Sequence, residues 1–275
     1  IVARTGASDP GMKRLLVILF LFTAGAFRPA EDFHLLHQLP VSGNATVTTD
    51  PLGNCYLTVG NQVLKFDPKG KPLSNFAQVD RGELRGVDAL NPLKVLLFYP
   101  DFAQIILLNT QLSVQSTINL RNLDIQQPWL ACSSLNDGYW VFDLQDAQLK
   151  KIGLDLQLQF QSGNLNQLLR KRLVPMALLE SQESVFLADP EAGILVFDRF
   201  GNYDKTLPVP GVRKFQVIGE EVLYLRNDSV FAVNRKTLEE HPVVLPSHEG
   251  AVRDFRFEQQ ELYLLTTDAL SIYSF

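Results

Sequence analysis

Imidazole is both a proton carrier and a metal ligand, so His34, His37, His241 and His248 are the first side chains to weigh for chemistry. His34 and His37 stand three apart in "FHLLHQLP", which reads as a strand, and a period of two then sends them to opposite faces. His241 and His248 flank a proline-containing stretch. Neither cysteine, Cys55 or Cys132, and no close carboxylate completes a zinc-like set beside any of the four. No Gly-x-Ser-x-Gly elbow, phosphate-binding loop or dinucleotide fingerprint occurs, so serine hydrolysis and nucleotide chemistry have no motif to rest on. What remains is a scatter of carboxylates and cations, and whether they converge depends on the elements that carry them.

Those elements repeat. "CYLTVGNQVLKFD", "VFLADPEAGILVFD" and "VLYLRNDSVFAVN" share one pattern: an apolar strand, a tight polar turn, and a second apolar strand with a polar end. Copies begin at Cys55, Val95, Tyr139, Val185, Val222 and Leu262, a spacing of about forty that marks a repeated all-β unit. Each copy is preceded by an extended segment and followed by a more polar one, which makes four strands per unit. Runs such as "VLLFY" and "QIILL" are apolar at every position and therefore need cover on both faces, which stacked blades supply. The pattern predicts an all-β, six-bladed β-propeller of four-stranded antiparallel blades. Its last copy lacks a fourth strand, and Phe33 to Pro40 is an orphan strand that can complete that blade and close the ring.

Ahead of the repeats, "MKRLLVILFLFTAGA" has the basic start, short apolar run and small-residue end of a secretory signal peptide. Residues 1–11 then read as a segment upstream of a start at Met12, 12–26 as the signal peptide and 27–275 as a single domain. The expected location is the periplasm or the extracellular medium. No later stretch is apolar over the length of a membrane span. Removing residues 1–26 takes Lys+Arg from 25 to 22 and Asp+Glu from 30 to 29, a net charge of −7 that argues against nucleic acid as a partner. Within the domain, "SGNLNQLLRKRLVP" breaks the strand rhythm. Its Leu165, Leu168, Leu169 and Leu173 fall at helical spacing, which predicts a short amphipathic helical insertion near 164–173, either packed by its leucines on the propeller or, with the basic mouth, part of the contact surface. Cys55 and Cys132 belong to blades one and three and are expected to be unbonded.

The element Phe66-Asp67-Pro68-Lys69-Gly70, repeated as Phe197-Asp198-Arg199-Phe200-Gly201, resembles the "FDxxG" turn of extracytoplasmic propellers of the NHL and TolB types, and the likeness covers the whole repeat region. That resemblance implies architecture; such propellers include lactonases, dehydrogenases, signalling ectodomains and protein-binding scaffolds. Similarity to the calcium-dependent lactonases would imply a channel-centred metal, for which Asp88, Asn91, Glu180 and Asp254 lie on or near innermost strands. Blades one and three offer only the hydroxyls of Thr46, Thr48 and Ser133 there, weak ligands for a hard cation.

Charge placement favours a different use. Connections entering the innermost strands carry Arg81, Arg85, Arg121, Arg170, Lys171, Arg172, Arg213, Lys214 and Arg253, while the neighbouring turns carry Asp101, Asp146, Glu191, Asp228 and Asp268. A basic inner ring inside an acidic outer one would concentrate an anionic ligand, or an acidic patch of a protein partner, at the channel mouth. The expectation is an exported, monomeric, non-enzymatic binding or scaffolding module without a cofactor. A calcium-dependent, lactonase-like hydrolase is the alternative.

Overall fold

The computed structural model describes residues 32–41 and 43–275, so the expectations for residues 1–11 and 12–26 fall outside the described residues. Six sheets of four antiparallel strands form the ring. Blades one to five span residues 45–77, 86–119, 128–161, 177–207 and 215–242, and blade six joins 252–274 to the strand His34–Pro40. The innermost strands are Ala45–Thr49, Gly86–Asp88, Pro128–Ser133, Ala177–Ser181, Phe215–Ile218 and Val252–Glu258. They begin at one face of the ring, the upper, and end at the other, the lower. Among the described residues no helix is long and apolar enough to cross a membrane.

The core is six separate apolar layers, one between each pair of neighbouring blades. Leu96 and Phe98 of blade two meet Tyr139 and Val141 of blade three, for example, and Trp140 and Phe142 of blade three meet Val185 and Leu187 of blade four. This is why the second and third strands are apolar at successive positions: each blade is a partition with a core on both sides.

Ring closure is as the orphan strand implied. His34–Pro40 runs antiparallel to Ala269–Ser274, Val41 N–H continues the ladder to Asp268 O at 2.9 Å, and Leu39 and Val41 pack against the layer between blades six and one. One detail corrects the histidine argument. A bulge between Leu35 and His37 places His34 opposite Ser274 and His37 opposite Ile272, two residues apart and hence on one side of the blade. The inserted residue cancels the alternation that a regular strand would impose.

Local chemistry explains the turns. In both "FDxxG" elements the aspartate Oδ1 accepts two backbone N–H groups, from Lys69 and Lys71 at Asp67 and from Phe200 and Asn202 at Asp198. Gly70 and Gly201 follow with φ of +81° and +78°, and a Cβ at Gly70 would collide with the His37 ring. The insertion after blade three is helical only over Leu165–Leu169, shorter than its leucine spacing suggests. Arg170 adopts φ 52° and closes it, while the Asn166 side chain accepts Leu173 N–H at 2.8 Å beyond the end. Leu165 and Leu173 are buried in the layer between blades three and four, Leu169 packs on it, and Leu168 is exposed.

Cys55 and Cys132 are free and buried, and burial pushes both thiols well above the usual cysteine range. The folded protein should therefore react with a thiol reagent at neither position over minutes, and the denatured protein should titrate two thiols without reductant. A mass two hydrogens short of the reduced chain would contradict this.

Candidate functional site

The six innermost strands enclose a central cavity of about 280 Å³, open to solvent. Three cationic side chains line it: Arg85, just ahead of the blade-two strand, Lys214, just ahead of the blade-five strand, and Arg256, within the blade-six strand. Arg85 lies flat over Trp129, its Cζ 3.4 Å from the ring centroid, and Trp129 is itself fixed by Nε1 donating to Pro175 O at 2.7 Å. Burial pulls the Arg85 guanidinium below its ordinary value, against the opposing fields of Glu83 and Asp101. Lys214 Nζ pairs with the buried Asp254 carboxylate at 3.4 Å. Arg256 Nη1 donates to Phe215 O at 3.0 Å and Phe255 O at 3.3 Å.

The acidic residues of the inner strands fasten one blade to the next. Asp88 Oδ2 accepts Ser133 N–H of blade three at 2.6 Å and its Oδ1 accepts Leu90 N–H; burial raises its pKa and these donors oppose that rise. Glu180 Oε2 of blade four accepts Leu135 N–H and Trp140 Nε1–H of blade three at 3.1 and 2.8 Å. Asp254 Oδ2 of blade six accepts Val47 N–H of blade one at 3.1 Å. Gln216 of blade five does the same with an amide, donating to Phe257 O at 2.6 Å and accepting Phe257 N–H at 2.9 Å. These side chains span the gaps where the edges of inner strands diverge, and satisfy backbone groups that no ladder reaches.

The residues singled out for calcium are thus spread around the ring. Asp88, Glu180 and Asp254 sit in blades two, four and six, and Asn91 closes its own lower-face turn by accepting Leu93 N–H at 2.9 Å. Among the described residues, no three His, Cys, Asp or Glu side chains stand close enough to hold a metal ion.

Of the nine basic positions, Arg85 and Lys214 line the cavity. Arg213 and Arg253 are exposed on the upper face beside it. Arg81 donates to Gln104 Oε1 and Arg121 to Asp101 O, which draws both outward along blade two. Arg170 and Arg172 are exposed on the insertion, and Lys171 pairs with Glu191 at 3.0 Å, an inner-to-outer contact of the kind the two charge rings imply. Arg256 and Glu258 line the cavity and escaped sequence reasoning. Their signal was the alternation in "RDFRFE", which sets Asp254, Arg256 and Glu258 on one side of the strand and Phe255 and Phe257 on the other.

No family model matches the sequence, and no curated protein matches it either. Solved structures do resemble it. A catalytically inactive virginiamycin B lyase from Staphylococcus aureus with quinupristin aligns at a TM-score of 0.64 with 11% identity, covering 89% of this chain and 100% of that one. The Pan2 WD40 domain from Neurospora crassa aligns at 0.59 with 10% identity over 88% and 95% of the two chains. BBS1N in complex with ARL6DN aligns at 0.54 with 15% identity over 83% and 76%. At such identities the likeness is one of fold, shared by a lyase, a WD40 domain and a chain solved in complex with another: the chain is a six-bladed β-propeller.

Proposed function

We propose that this chain is an exported, monomeric binding module of the NHL or TolB kind that receives an acidic segment of a protein partner, or a comparable anionic ligand, at the upper mouth of its channel. The observation that carries this reading is Arg85: half-buried, stacked on a pinned tryptophan, with no carboxylate at ion-pairing distance among the described residues. A cation held in place with the fields of Glu83 and Asp101 upon it but no carboxylate in contact is preorganised for a contacting anion, since neither its side chain nor its platform must be ordered on binding. Arg213 and Arg253 extend the positive potential over the face beside it. The calcium-dependent hydrolase is less well supported, because Asp88, Glu180 and Asp254 would have to leave their bonds to neighbouring blades before they could meet at a metal.

A hexaglutamate peptide serves as the probe. The wild-type protein should bind it with an affinity that falls as sodium chloride rises, since exposed charges are screened beyond about 8 Å at physiological ionic strength. Replacing Arg85→Gln, Arg213→Glu and Arg253→Glu together should weaken binding at least tenfold. Melting temperature should move by only a few degrees, the exposed Arg213 and Arg253 contributing about 0 to 1 kcal/mol each and the Arg85 stack on Trp129 about 1 kcal/mol more. A folded triple variant that binds as wild type would move the contact surface elsewhere.

A further inference from the structure

An apolar strip adjoins the basic mouth. Between the insertion and the innermost strand of blade four, Arg172, Val174 and Met176 are exposed while Leu173 and Pro175 are buried, the alternation of an extended segment with one side open to solvent. Met176 lines the cavity together with Arg85, and Arg172 begins the strip at its other end. The open side therefore reads cation, valine, methionine, cation. Val174 and Met176 leave 42% and 39% of their surface in water, although Leu173 between Arg172 and Val174 is fully buried in the layer between blades three and four.

The strip is held by its backbone. Leu173 N–H donates to the Asn166 side chain at 2.8 Å, Val174 N–H to the buried Asp189 carboxylate at 2.7 Å, and Met176 N–H to Ala188 O at 2.8 Å. Pro175 has no N–H, and its carbonyl accepts Trp129 Nε1–H at 2.7 Å. The same indole carries Arg85 on its face, so strip and guanidinium are fixed to one another through a single ring. With each N–H of 173–176 already bonded, none is left for a partner strand, and what the strip offers is its side chains. Apolar groups exposed on a backbone pinned in this way lose little freedom when a partner covers them.

We propose that the acidic segment received at the mouth carries a large apolar residue between its acids, in the order acid-x-apolar-x-acid, which seats on Val174 and Met176 while the acids meet Arg85 and Arg172. Every second side chain of an extended segment lies on one side, so this order presents all three groups together. The proposal rests on the acid-binding mouth and adds what that reading leaves open: covering Val174 and Met176 distinguishes such a segment from a purely acidic one of equal charge.

Titration calorimetry on the full chain tests it with acetyl-Glu-Glu-Ser-Leu-Ser-Glu-Glu-amide and the same peptide with serine in place of leucine. The leucine peptide should bind about fivefold more tightly, as expected for covering about half of a leucine side chain. A third peptide, with the leucine moved to the amino end, should bind no better than the serine one. Replacing Val174→Ser and Met176→Gln together should erase the leucine preference and leave hexaglutamate binding and melting as in wild type. Equal binding of the leucine and serine peptides to the wild-type protein, or of the leucine peptide and its rearranged form, overturns the proposal. So does a leucine preference retained by the double variant. Hexaglutamate separates the two readings: if it binds and leucine adds nothing, the strip fails and the mouth stands, whereas if neither it nor any of the peptides binds at millimolar concentration, both fail.

Discussion

A chain lacking residues 33–41 should melt at least about 10 °C below the parent, or aggregate, because one blade is left with three strands and the ring with an open edge. The deletion removes the pairing of His34–Pro40 with Ala269–Ser274 and the contacts of Leu39 and Val41 with the layer between blades six and one. A loss of about 5 kcal/mol is a conservative figure for a whole strand, and at this size each kcal/mol moves the melting point by about 2–4 °C. A chain with the same segment moved behind Phe275 on a short Gly/Ser linker should recover most of the loss, since it restores the ladder without restoring the connection to blade one. Unchanged melting of the deleted chain would mean that the closing strand contributes little.

Trp140→Ala should be the most damaging single substitution, costing about 4 to 5 kcal/mol in a urea titration. Trp140 is fully buried in the layer between blades three and four, so its loss opens a large cavity, and Trp→Ala changes of this kind cost about 3–5 kcal/mol. Its Nε1–H is also one of two donors to the buried Glu180 carboxylate, whose Oε1 has none. Trp140→Phe separates the two effects: most of the bulk stays, only the donor goes, and the cost should fall to about 1–3 kcal/mol. If the alanine variant loses less than about 2 kcal/mol, the layer collapses around the gap and the core is softer than its packing implies.

The fold was legible because a blade is a local object. Its strands are consecutive, its turns carry their own signals, and a run such as "VLLFY" reports burial on both sides without knowledge of what lies there. Even the long-range step of closure could be read, from one strand too few at one end and one too many at the other. The site was legible only in part. Knowing which loops share a face does not give the radius at which a side chain sits, and that separates Arg85 over Trp129 from Arg81 drawn to Gln104. Arg256 was missed because a cation inside an apolar strand invites no attention unless the strand is known to border a channel. The His34 and His37 argument failed for a smaller reason: a bulge leaves no mark in a sequence, and one inserted residue reverses a parity argument.

The blade-to-blade fastenings of the inner strands are unevenly distributed. Among the described residues they cross the junctions two–three, three–four, five–six and six–one, through Asp88, Glu180, Gln216 and Asp254. The junctions one–two and four–five carry none at that radius; they rely on apolar layers and on contacts further out, such as Asn61 with Gly82 and Leu84, and Lys205 with Arg235. In a ring of six these two junctions lie diametrically opposite. The molecule is mechanically a pair of stiff half-rings, blades two to four and blades five, six and one, meeting along a single line of compliance. Rocking about that line would widen or narrow the bore without breaking a polar contact on the inner strands, and it would move Arg85 on one half relative to Lys214 and Glu258 on the other.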